Sequence, residues 1–251
     1  MKEIKMSRYV IFILICSVSC ILHADKKKLS KSELDRLIDE RILLYESGDI
    51  EHGDGDIAQG AIEALRKEGV TDYEIVESMA KCLRRDMNCP KEKAGCVRAN
   101  AAMWWIAELG NQNQMSNLLY VAQTATNQLS AGSAILAYYR GVKDKERFLK
   151  DALPLLERSH RVKRSIWWCL MEEAKGPMRE RIVAIASEKA NEGYDNLYYA
   201  DLILEKWKPG YADSQERRKL IIKAVEDPNV KKIAPRGSKH LMDRLKKESS
   251  K

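Results

Sequence analysis

Apolar residues recur along most of this chain at the three- and four-residue spacing of an amphipathic α-helix, with polar residues between them. The run Ile57, Ala61, Ile62 and Leu65 is one example. Glycine and proline fall mostly between such runs, where they end helices. No segment shows the β-branched alternation of a half-buried strand. The pattern therefore predicts an all-α fold.

Residues that cap helices mark where several of these helices begin. Capping boxes are predicted over Ser30–Glu33 and Thr71–Glu74, because in each a hydroxyl precedes a glutamate by three positions. Asp144 and Asp195 are placed to cap two later helices, the second of which starts at Leu197. Pro154 lies inside an apolar run, so that helix is predicted to bend or stop there.

Four pairs of adjacent aromatic residues give the chain a longer period. Their first members are separated by 34, 29 and 31 residues. Such spacing is typical of stacked repeats, in which each unit buries its apolar face against its neighbours. The pairs are Trp104-Trp105, Tyr138-Tyr139, Trp167-Trp168 and Tyr198-Tyr199.

This period predicts an architecture as well as a fold class. Residues 57–229 are expected to form a right-handed α-solenoid of about five antiparallel helix pairs. An N-terminal helix and a linker occupy residues 25–56. A short C-terminal helix and a basic tail complete the chain over residues 230–251.

With this periodicity the chain resembles the HEAT-type α-solenoid families over about residues 57–229. The resemblance implies a curved rod of stacked helical hairpins. Units near 31 residues are short for HEAT repeats and closer to tetratricopeptide length. The tetratricopeptide signature fits poorly, because Leu109 and Gly110 fall one position late when counted from Trp105.

The first residues have the composition of a targeting segment. Three basic residues precede the apolar run Tyr9–Ile15, which continues less strictly to Leu22, and Ala24 supplies a small residue before a charged stretch. This apolar stretch is shorter than the roughly 20 residues of a membrane-spanning helix. A cleaved signal peptide over residues 1–24 is favoured, with a lipid-anchored Cys20 or an uncleaved anchor as alternatives. Each option exports the remainder, which has no predicted membrane span.

The net charge and its distribution do not indicate a nucleic-acid-binding surface. The whole chain carries +7, and loss of three basic residues and one glutamate with the signal segment leaves 7 − 3 + 1 = +5. These charges are interspersed rather than clustered, so nucleic acid is not predicted as a partner. Weak attraction to anionic lipid or glycan surfaces stays open.

Four cysteines follow the signal segment. In an oxidising compartment, one local disulfide is expected among Cys82, Cys89 and Cys96. Cys169 lies several helices further on and is expected to be a buried free thiol, because packed helices lie about 8–10 Å apart. The cysteine spacing lacks the close pairs of structural zinc sites, so no metal is predicted.

The aromatic pairs are the candidate binding residues. Adjacent helical side chains point about 100° apart, so one ring of each pair should enter the core. The other could pack against the next unit or line a groove. A groove row would comprise Trp105, Tyr139, Trp168 and Tyr199, or their neighbours.

Catalytic patterns are missing from the sequence. His52, His160 and His240 are widely separated, and none begins a zinc-binding His-x-x-x-His pattern. His160 is interpreted as a charge at a helix end, favoured by the helix dipole. No nucleophile elbow or phosphate-binding glycine loop occurs, so no catalytic residue and no cofactor are predicted.

Two functions remain open at this point. The first is a non-enzymatic binding or scaffolding protein of a bacterial envelope or the cell exterior, with a protein partner on the concave face. The alternative is an exported carbohydrate- or cell-wall-binding protein whose aromatic row stacks on glycan.

Overall fold

A computed structural model describes residues 29–43, 55–90, 94–228, 230 and 235–248. Within these ranges the regular structure is entirely helical, which confirms the predicted fold class. The signal segment and Cys20 lie outside the described residues. None of the described helices is both long and apolar enough to cross a membrane.

Twelve α-helices follow one another through these ranges. In chain order they are α1 (Lys31–Leu37), α2 (Gly55–Lys67), α3 (Asp72–Asp86), α4 (Ala94–Leu109), α5 (Ser116–Thr124), α6 (Gln128–Gly141), α7 (Lys145–Ala152), α8 (His160–Glu173), α9 (Arg179–Lys189), α10 (Tyr194–Trp207), α11 (Gln215–Glu226) and α12 (Pro235–Glu248). A π-helical segment, Ile38–Leu43, continues α1, and a 3-10 segment, Leu153–Glu157, follows α7.

The caps confirm three of the predicted helix starts. Both capping boxes form, at Ser30–Glu33 and Thr71–Glu74. The Asp144 carboxylate accepts from the backbone of the first turn of α7. Asp195 is not a cap, because α10 begins earlier, after Gly193 with φ 101°, and places Asp195 inside its first turn. At Pro154, α7 gives way to the 3-10 segment, so the predicted break is confirmed.

The four helices that carry the aromatic pairs form one continuous layer. Helix α4 contacts α6, α6 contacts α8, and α8 contacts α10. The helices between them in sequence lie on the flank, where α5 packs on α6 and α9 packs on α10. Each helix with an aromatic pair thus contacts the helix that carries the next pair.

Two glycines let α6 pass close to its neighbours. A Cβ atom at Gly132 would lie 3.2 Å from Ser165 Oγ and 3.3 Å from the Arg161 carbonyl oxygen in α8. At Gly141 it would lie 3.0 Å from the Ala107 Cα in α4. Side chains at these positions would push the helices of the layer apart.

A fully buried ion pair holds the C-terminal helices together. The Arg217 guanidinium in α11 donates to both carboxylate oxygens of Asp201 in α10, at 2.7 and 3.0 Å, and neither side chain is exposed. Arg244 of α12 approaches the same carboxylate at 3.0 Å. A carboxylate shared by two arginines therefore connects α10, α11 and α12.

A second ion-pair network attaches the N-terminal segment to α3 and α4. Asp39 of the π-helical segment accepts two hydrogen bonds from Arg85, each 3.1 Å long, and lies 3.1 Å from Arg98. Asp86 accepts from the same two arginines at 2.7 and 2.9 Å. Burial by itself would raise the pKa of both carboxyls, but the hydrogen bonds outweigh it and lower each pKa.

Replacing Asp201 with asparagine tests the buried pair. Asp201→Asn leaves two arginines beside a neutral amide, and breaking a buried ion pair costs about 3–5 kcal/mol. The urea midpoint of unfolding, followed by circular dichroism, is expected to fall strongly. Glu216→Gln is the control, since it removes the 4.0 Å exposed pair with Lys208 and should leave the midpoint near wild type. Equal midpoints for the two variants would contradict the structural role of Asp201.

The N-terminal network predicts a dependence of stability on acid pH. Because the folded-state pKa values of Asp39 and Asp86 are lowered, their stabilisation is present above the unfolded pKa of about 3.9 and is lost as pH falls through the folded values. The urea midpoint should therefore fall between pH 5 and pH 3. The double variant Asp39→Asn/Asp86→Asn should lose less over the same range. Parallel pH profiles would show that this network does not contribute.

A candidate binding groove lined by aromatic rings

A groove of about 1020 Å³ lies across α6, α8 and α10. Each helix lines it with a stripe at three- and four-residue spacing, and Trp104 of α4 adds a ring. The stripe residues are Leu129, Gly132, Ser133, Leu136, Tyr139 and Arg140 from α6, His160, Arg161, Arg164, Ser165, Trp168 and Met171 from α8, and Tyr194, Asp195, Tyr198, Tyr199 and Leu202 from α10.

The structure divides the predicted aromatic pairs between this groove and the core. In each of the first three pairs, one ring is buried and the other lines the groove. In the fourth pair both rings line it. The buried rings are Trp105, Tyr138 and Trp167. The groove rings are Trp104, Tyr139, Trp168, Tyr198 and Tyr199.

Trp168 is the most exposed ring of the four pairs. Its side chain is 49% exposed, whereas the buried neighbour Trp167 is completely covered. The indole nitrogen of Trp167 donates to the Asn196 side chain at 3.1 Å, which ties α8 to α10. The backbone under Trp168 is therefore fixed by a buried contact, while the ring itself faces solvent.

Tyr139 is held rigidly at the α6 side of the groove. Its hydroxyl donates to Glu173 at 2.6 Å, and its ring meets Phe148 edge-on at 5.1 Å between centroids. The Lys145 ammonium lies 4.0 Å from the ring centroid and also donates to the carbonyls that end α6. Burial and the bond to Glu173 raise the pKa of Tyr139, so the phenol is neutral at pH 7.

Three tyrosines form the α10 side of the groove. The Tyr198 ring packs edge-on against Tyr199 at 5.2 Å between centroids. It meets the Tyr194 ring at a tilt of 39° and 6.3 Å. Burial raises the pKa of Tyr194 to about 12 and also raises that of Tyr199. Because the phenols of Tyr194 and Tyr199 stay neutral, they offer apolar faces and hydrogen-bonding hydroxyls rather than charge.

The charged groups of the groove are mainly arginines. Arg161 and Arg164 are exposed on α8, and Arg140 lies 5.9 Å from the Trp104 ring. His160 Nδ1 is 3.4 Å from an Asp195 carboxylate oxygen. The dipole interpretation of His160 was wrong, because this residue begins α8, where the dipole disfavours positive charge.

Sequence reasoning missed the arginines and Tyr194 as members of this site. A signal was present in α8, because Arg161, Arg164 and Trp168 follow one another at three- and four-residue spacing. Nothing in the sequence distinguished this stripe from an ordinary solvated helix face. The packing of α6 and α10 on either side converts it into the floor of a groove.

The expected local disulfide is not formed in this structure. Within the described residues, none of Cys82, Cys89, Cys96 and Cys169 is disulfide-bonded, and Cys169 is buried as predicted. Cys82 cannot serve the bridge, because its thiol faces the N-terminal segment and donates to Asp39 at 3.2 Å. Burial and the neighbouring Asp39 raise the pKa of Cys82 to about 12, which keeps it a protonated thiol.

One cluster of the described residues offers metal-ligand atoms. The side chains of Asp39, Cys82 and Asp86 bring such atoms within 4.8 Å of one another. The guanidinium groups of Arg85 and Arg98 already neutralise both carboxylates. A cation would have to displace two arginines and ionise a thiol with a raised pKa. The donor set therefore suits a structural ion-pair network better than a metal.

Comparisons of this chain with protein-family models, with curated proteins and with solved structures give no match. Its function must therefore be argued from the groove.

Proposed function

We propose that this chain is a non-enzymatic binding protein that holds an extended segment of a partner protein in the aromatic groove. The observation that carries the proposal is Trp168, a half-exposed indole in the middle of the groove. Large exposed rings on a rigid support are typical anchors of protein interfaces. The backbone beneath this one is fixed by the buried Trp167–Asn196 contact.

The layer of aromatic-bearing helices supports a repeat architecture for this binding surface. We take the order α4, α6, α8 and α10 as successive units of a solenoid, with the groove on its concave face. The targeting pattern over residues 1–24 supports export, to the bacterial envelope or beyond the cell.

The size of the layer fits a short extended segment. Four helices at about 8–10 Å spacing span roughly 24–30 Å. An extended chain advances about 3.3 Å per residue, so roughly 7–9 residues would cross the layer. Side chains on one face of that segment would meet successive helices.

The composition of the lining favours protein over glycan. Sugar hydroxyls both donate and accept hydrogen bonds, and carboxylate and amide side chains offer acceptors and donors that suit them. Among the described residues that line the groove, Asp195 is the single carboxylate and no side-chain amide occurs. Leu129, Leu136 and Met171 instead supply aliphatic surface, which suits apolar side chains of a peptide.

Selection of peptides on the full chain tests this function. A phage-displayed library of random nonapeptides is selected on immobilised protein, and enriched peptides are measured by isothermal titration calorimetry. Trp168→Ala is expected to weaken them roughly 30-fold, because loss of an anchoring ring costs about 2 kcal/mol or more. Tyr120→Ala is the matched control, since Tyr120 is 45% exposed on α5 and does not line the groove.

Two results would contradict the proposal. One is a set of enriched peptides that bind wild type and Trp168→Ala equally well. The other is a library without enriched peptides while neutral oligosaccharides quench the fluorescence of wild type but not of Trp168→Ala. The second result would support the glycan alternative.

A further inference from the structure

The groove has an unbalanced charge. Arg140, Arg161 and Arg164 contribute three positive charges to its lining and Asp195 one negative charge. Glu108, beside the lining, pairs with Arg140 at 3.4 Å, so with His160 neutral the balance is 3 − 2 = +1. These charges surround neutral phenols and apolar rings. Charges in a concave site lined by apolar groups act at lower effective dielectric than charges on an open surface.

The two α8 arginines differ from the ion-paired arginines of the fold. Arg217 is paired with Asp201, and Arg85 and Arg98 are paired with two carboxylates. Arg161 and Arg164, in contrast, form no ion pair with any described residue. Both are exposed. Their guanidinium groups are therefore open to an external acid.

These arginines share a helix face with the central indole. Arg161 and Arg164 precede Trp168 by seven and four positions, so all three project from the same side of α8. A guanidinium group presents a planar fork that matches a carboxylate, and an indole presents an apolar face. The stripe thus offers neighbouring places for an acidic and an aromatic side chain.

We infer that the segment held in this groove is acidic, with carboxylate side chains on Arg161 and Arg164 beside an aromatic or apolar side chain on Trp168. This inference rests on the proposed function and specifies its ligand. Opposite charges across the interface would speed association and exclude basic segments. The net charge of +5 expected after removal of residues 1–24 acts in the same direction at longer range.

Three unlabelled nonapeptides test the inference by isothermal titration calorimetry on the full chain. The first alternates Glu with Tyr and Trp, and the other two carry Lys or Ser in place of each Glu. The Glu peptide is expected to bind at least about tenfold more tightly than the Ser peptide, and the Lys peptide most weakly. The preference should shrink between about 50 mM and 300 mM salt, since salt screens exposed charges.

Reversing the charge of the two α8 arginines tests whether they cause the preference for the Glu peptide. Arg161→Glu/Arg164→Glu is expected to invert the preference toward the Lys peptide. Lys219→Glu/Lys223→Glu makes the same change in net charge on exposed positions of α11 outside the groove lining, and it should keep the preference for Glu. Circular dichroism of each variant establishes that the fold is retained.

The outcomes separate this inference from the proposed function. Equal affinity of wild type for the Glu and Lys peptides, or an equal loss of preference in both double variants, would overturn the acidic ligand. If the Ser peptide then still requires Trp168, the peptide-binding function stands. If a polyuronate bound only when both arginines were present and no peptide bound at all, the acidic-peptide inference and the peptide-binding function would both be overturned.

Discussion

Helix geometry sets the relation between core and groove in this protein. Adjacent helical side chains diverge by about 100°, so one ring of an aromatic pair can enter the core while the other faces the groove. In α8 this places Trp167 wholly inside and leaves Trp168 half exposed. The same division occurs at Tyr138 and Tyr139 in α6. The rings that hold the layer together therefore also fix the backbone beneath the rings that face solvent.

The arginines that hold the fold together are paired with carboxylates, whereas the two α8 arginines of the groove are not paired with any in the described part of the chain. The scaffold pairs its most buried arginines with carboxylates, both at the Arg217–Asp201 pair and around Asp39 and Asp86. A buried unpaired charge would be strongly destabilising, so these positions leave little freedom. Arg161 and Arg164 face solvent, where an unpaired guanidinium is hydrated at little cost. Their charge is therefore free to determine which ligand the groove accepts.

Local signals in the sequence were reliable where a short-range interaction decides the structure. Capping boxes such as Ser30–Glu33 require only residues three positions apart, and Pro154 ends its helix by its own covalent geometry. The prediction that Asp195 caps α10 was wrong because it assumed that the helix starts at Leu197. The helix begins after Gly193, whose φ is positive. The disulfide expectation left out Asp39, a distant residue that accepts a hydrogen bond from the Cys82 thiol and so removes Cys82 from any local bridge.

The sequence by itself determined an all-helical fold and the even spacing of the aromatic pairs, because helical periodicity and the positions of Gly and Pro are local properties. Only the tertiary structure decided which ring of each pair faces outward. Trp104, and not Trp105, lines the groove because the rotation of α4 against α6 is set by packing. The assembly of Arg161, Arg164 and Tyr194 around Trp168 likewise depends on contacts between helices about 30 residues apart.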